Sequence, residues 1–69
     1  MTRVHVRALP EEAIIVVEGQ FEVENGAEVE VRDQPVKVIA RAPGWEDKEE
    51  IIEPGRKKDV LLLLKRKAN

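Results

Sequence analysis

Apolar and polar residues alternate along most of this chain, and the alternation is cut every few residues by Gly, Pro or Asn. A period of two belongs to a strand with one face in a core and the other in water. Residues 3–9, RVHVRAL, put Val4 and Val6 on one face and Arg3, His5 and Arg7 on the other, and Pro10 ends the run. Residues 13–19, AIIVVEG, follow. The preceding LPEEA has the form of a helix start, but Ile14-Ile15-Val16-Val17 is an unbroken β-branched run, stiff at χ1 and disfavoured in helices. A strand is expected.

FEVE (21–24) and AEVEVR (27–32) flank Asn25-Gly26, a strong hairpin signal. A two-residue loop would put apolar and acidic side chains on one face. A three-residue loop, Glu24-Asn25-Gly26, pairs Val23 with Ala27 and Phe21 with Val29. The sequence therefore predicts a hairpin with Gly26 left-handed in a bulge, and Phe21, Val23, Ala27, Val29 and Val31 on one face. PVKVIARA (35–42) is a further strand, stopped by Pro43-Gly44. DKEEIIE (47–53), before Pro54-Gly55, reads as a strand more than a helical turn. KDVLLLLKRK (58–67) closes the chain. About seven short antiparallel strands in one domain, residues 1–69, make an all-β sandwich.

Composition sharpens this picture. Sixty-nine residues bury a small core, and without cysteine there is no disulfide to staple it. Ten Val, five Ile and five Leu must supply the apolar mass, with Phe21 and Trp45 the only aromatics. No apolar run approaches the roughly 20 residues of a membrane span, and the first residues show no apolar h-region of a secretory signal. A net charge of −2, with 38% of residues charged, argues against a nucleic-acid or membrane binder. There is no Ser or Tyr and a single Thr, Thr2, so the polar surface is almost wholly Glu, Lys and Arg. Hyperthermophile proteins and engineered sequences share that palette, and the complete loss of Ser favours an engineered one.

The order of turns resembles the PEGA domain, a small prealbumin-like or immunoglobulin-like β-sandwich. Pro10-Glu11-Glu12-Ala13 is similar to that family's naming motif. An acid-Gly turn follows at Glu18-Gly19, then Gly44-Trp45, then Pro54-Gly55 before the aliphatic last strand. Glu12 stands where the motif has glycine, and ENGA replaces the family's middle Gly-x-Thr-Pro element. The resemblance implies an accessory module of a larger protein, a spacer or a binding unit, and no cofactor.

Candidate chemistry is sparse. Between residues 18 and 33, Glu18, Glu22, Glu24, Glu28, Glu30 and Asp33 face one base, Arg32. On the predicted hairpin, Glu22, Glu24, Glu28 and Glu30 share the wet face, too solvated for a catalytic pair and without the compact loop that calcium needs. Like charges opposed across strands repel, so this comb should lie beside Arg3 and Arg7, Lys37 and Arg41, or Lys65 and Arg66. His5, alone, reads as a surface histidine, and Trp45 as a plug at the core's rim. The basic runs 56–58 and 65–67 are too few for nucleic acid. No enzyme, cofactor, metal site or small-molecule ligand is expected. One feature departs from simple alternation. If Ala13, Ile15, Val17, Val60, Leu62 and Leu64 face the core, then Ile14, Val16, Ile39, Leu61 and Leu63 face out. Such a patch either marks an interface, here one that would form a homodimer, or is covered within the monomer.

Overall fold

The computed structural model describes residues 2–55 and 58–68. Among them are seven strands and no helix: β1 (Thr2–Leu9), β2 (Ile14–Val17), β3 (Phe21–Val23), β4 (Glu28–Val31), β5 (Val36–Arg41), β6 (Lys48–Ile52) and β7 (Asp59–Leu63). They form two sheets, β4-β1-β7 and β3-β2-β5-β6. This is the all-β sandwich that the alternation predicts, and Ile14–Val17 is a strand as its branching requires. One pairing is not antiparallel: β7 runs parallel to β1, with Val6 beside Val60 and Ala8 beside Leu62. The chain passes from β6 in one sheet to β7 in the other, so Pro54-Gly55 closes no hairpin between them.

The core lies between the sheets. Val4, Val6 and Ala8 of β1, Val29 and Val31 of β4, and Val60, Leu62 and Leu64 meet Ala13, Ile15, Val38, Ala40, Ala42 and Ile52. Five of the six inward positions expected from β2 and the last strand are buried, and Val17 is half-buried. Burying each Val, Leu or Ile contributes about 1.5–3 kcal/mol. Among the described residues no polar or charged side chain is buried.

The predicted hairpin across Asn25-Gly26 does not form. β3 pairs with β2 in the four-stranded sheet, Val17 beside Phe21, whereas β4 pairs with β1 in the other, Val4 beside Val29. Residues 24–27 instead carry the chain between sheets. The Ala27 N–H donates to the Glu24 carbonyl at 3.0 Å with Gly26 at φ 94°, the pattern of a type II turn. Such a turn splays its flanking strands, where a hairpin needs a turn whose twist matches theirs. The parity argument survives in another form, because Val23 and Val29 reach the same interior from opposite sheets. Phe21 does not. It sits on a three-residue edge strand and is 62% exposed.

Asn25 holds the crossing in place. β4 ladders with β1 only as far as Val6, where the Val6 N–H donates to the Ala27 carbonyl at 3.0 Å and the Gly26 N–H to the Val6 carbonyl at 2.9 Å. Beyond that point the Asn25 side chain takes the strand's place. Its Oδ1 accepts from the Ala8 N–H at 2.8 Å, and its Nδ2 donates to the Ala8 carbonyl at 2.7 Å and the Glu11 carbonyl at 3.1 Å. At that end of the sandwich the Glu46 N–H donates to the Lys65 carbonyl at 2.7 Å, and the Lys67 N–H to the Gly44 carbonyl at 3.1 Å. The residues after β7 are thus stitched to those before β6.

Between β2 and β3 the chain turns through Glu18 and Gly19, both left-handed at φ 55° and 67°. Gly tolerates this freely, while Glu meets its own carbonyl through Cβ at a cost of about 1–2 kcal/mol. The carboxylate recovers little, accepting from the Lys37 N–H at a long 3.4 Å. Glu18→Asn, which suits the left-handed region, should therefore raise stability by about 0.5–1 kcal/mol. Urea denaturation reads this directly, and a loss of stability would contradict it.

Candidate functional site

The sheet arrangement divides the carboxylate comb. Glu22 projects from β3 and Glu28 and Glu30 from β4, so the acids expected on one hairpin face belong to separate sheets. Each group meets different neighbours. On the three-stranded sheet Glu30 lies across from Arg3, one of the two bases expected on that strand, and Glu28 across from His5, while Arg7 lies past the register with β4. Arg32 also reaches Glu30, Nε to Oε1 at 2.8 Å. On the other sheet Glu22 lies beside Val16, and the bases of β5 are engaged elsewhere: Lys37 with Glu49 at 3.3 Å and Arg41 with Asp47 at 3.2 Å. These pairs are exposed, and each contributes about 0–1 kcal/mol.

Every described carboxylate is exposed except half-buried Glu50. Among the described residues no three His, Cys, Asp or Glu side chains are placed to hold a metal. His5, half-buried, points Nδ1 at Asp59 Oδ1 3.5 Å away. Trp45 is half-buried against the core cluster with the Arg66 guanidinium 5.4 Å from its ring centroid, which suits a rim plug better than an open stacking platform. Arg56 and Lys57 of the first basic run lie outside the described residues.

The outward aliphatic residues are also split, which corrects the expectation of one contiguous patch. Ile14, Val16 and Ile39 belong to the four-stranded sheet, with Val16 beside Ile39. Leu61 and Leu63 belong to the three-stranded sheet, on the far side of the sandwich. Val16 is only 9% exposed although it lies outside the core cluster. It lies on a central strand, with Ile39 and Glu22 as its cross-strand neighbours on the two sides. Leu61 and Leu63 remain 49% and 57% exposed.

Leu9 completes this second group. It lies beside Leu63 and is half exposed. Its parity with Arg3, His5 and Arg7 could have revealed it, as the adjacency of Ile51 to buried Ile52 could have revealed exposed Ile51. Where β4 stops and Gly26 offers no side chain, an open groove of about 440 Å³ runs between Arg7, Leu9, Glu11, Asn25 and Leu61. A second, of about 490 Å³, lies at the rim between Ile14, Pro43 and Trp45.

No protein-family model, curated protein or solved structure matches the chain.

The division of the comb makes position matter. Glu30→Lys sets like charges opposite Arg3 and beside Arg32, and should cost about 0.5–1 kcal/mol. Glu22→Lys, with Val16 as its cross-strand neighbour, should change stability by less than about 0.5 kcal/mol. Equal losses on urea denaturation would show that the acids act as one cluster.

Proposed function

We propose that this chain is a non-catalytic β-sandwich scaffold of engineered sequence, with its exposed aliphatic residues as a part suited to association. The observation that carries this reading is the separation of chemistry from burial. The core is aliphatic throughout, and the carboxylates lie in water on two different sheets. Catalysis depends on functional groups whose environment has been made unlike water, and the charged side chains here lack one. The Ser-free, Glu/Lys/Arg surface accords with a sequence chosen for strand propensity and solubility.

A second reading is a PEGA-like accessory module from a thermophile's larger protein. It draws support from where the resembling residues fall: Gly19, Gly44 and Gly55 all occupy left-handed turn positions, as shared turn landmarks would. A module of that kind would bind a partner or act as a spacer.

Thermal melting separates these readings from a ligand-binding one. A scaffold written for folding should melt above about 90 °C. Its melting temperature should not move with millimolar calcium, simple sugars or short oligonucleotides, because a ligand that binds only the folded state raises it. A rise with any of them would overturn the scaffold reading.

A further inference from the structure

The outer face of the three-stranded sheet carries a projecting leucine and a groove on the same surface. Leu63 projects from β7, 57% exposed, beside half-exposed Leu9 and Leu61. The groove starts beside Leu9 and Leu61 and runs over β1 to Arg7, Glu11 and Gly26, where β4 has ended and the Asn25 side chain takes its place on β1. A knob and a groove on one face are the requirement for an isologous pair, since a twofold axis presents each to the other.

The charges complement one another under the same operation. Lys65, exposed after buried Leu64, borders the same hollow as Leu63, next to Glu46, Asp47 and Lys48. Glu11 lines the groove on the opposite side, at the same end of the face. Neither has an ion-pair partner among the described residues. A twofold axis running along the strands lays the β7 side of one copy over the groove side of the other, so each Lys65 meets the other copy's Glu11. Among the edge strands, β4 reads EVEV and β6 KEEII, where charges flank the apolar residues, and β3, which exposes Phe21, is three residues long; β7 has no charge between Asp59 and Lys65.

We infer that this chain self-associates as a symmetric dimer through the outer face of β1 and β7, with Leu63 of each copy in the Arg7–Glu11–Gly26 groove of the other and Lys65 paired to Glu11. This rests on the scaffold reading and gives it a partner, a second copy. A face built on three half-exposed leucines is small beside the about 800 Å² per partner of a standard interface, so the dimer should be weak, dissociating at about 10–1000 µM.

Sedimentation equilibrium from about 10 µM to 2 mM spans that range. Leu63→Glu should weaken the dimer by at least about a hundredfold, with circular dichroism confirming the fold. Ile14→Glu, on the other sheet, should leave the dimer unchanged. Glu11→Lys and Lys65→Glu should each weaken it by about threefold to tenfold, and the double exchange should restore it. A monomer throughout, a dimer indifferent to Leu63→Glu, one dissolved by Ile14→Glu, or a double exchange no better than the single changes would each overturn the inference. None of these touches the scaffold reading, which fails instead if a ligand shifts the melt.

Discussion

One carboxamide decides how the halves of this molecule meet. The Asn25 side chain accepts from the Ala8 N–H and donates to the carbonyls of Ala8 and Glu11, so β1 is paired past the point where β4 ends. Two backbone groups of Ala8 would otherwise face a part-buried position without partners, a penalty of about 1–3 kcal/mol each. The same contacts fix where the chain leaves the four-stranded sheet and joins the three-stranded one. β4 is then placed antiparallel to β1 with its valines inward, and the type II turn at Gly26 keeps the two strands from folding back on each other.

Much else follows from that crossing. Because β3 and β4 enter different sheets, the acids between residues 18 and 33 do not pool into one negative face. Glu28 and Glu30 lie against His5 and Arg3, and the opposite charges of Glu30 and Arg3 help specify the pairing of β4 with β1. The groove between Arg7, Glu11 and Leu61 exists for the same reason, since a longer β4 would fill it. That groove is therefore a by-product of how a loop crosses between sheets. This accords with a chain in which folding, more than chemistry, sets the residues.

The sequence revealed the strands more clearly than their partners. Alternation, β-branched runs and the Gly and Pro stops between them locate all seven, because these signals are local. Parity correctly placed Ile15 and Leu62 inside and Ile14 and Leu61 outside. Pairing depends on contacts distant along the chain, and there local signals fail. Asn25-Gly26 looks like a hairpin turn, yet Asn25 bonds to Ala8, 17 residues away, and nothing near residue 25 announces that partner. The hairpin implies a single acidic face, which dissolves when β3 and β4 enter separate sheets; the aliphatic patch, read from core parity, divides because β2 and β5 lie in one sheet and β7 in the other. Phe21 misleads for a related reason: its parity points inward, but a three-residue edge strand leaves most of its ring in water.

The crossing needs the Asn25 amide nitrogen as a donor, and the measurement to make is pH-dependent urea denaturation of Asn25→Asp beside the parent chain. The introduced carboxylate keeps an acceptor for the Ala8 N–H but turns a second oxygen toward the Ala8 and Glu11 carbonyls. At pH 7 the variant should be less stable than the parent by about 2–4 kcal/mol. Repulsion raises its folded-state pKa above the unfolded value of about 3.9, so the folded form binds the proton more tightly. The deficit should then be full above the raised pKa and shrink as pH falls through it toward the unfolded value, where the protonated acid can donate. A variant as stable as the parent at pH 7, or a deficit unchanged down to about pH 3, would contradict the account.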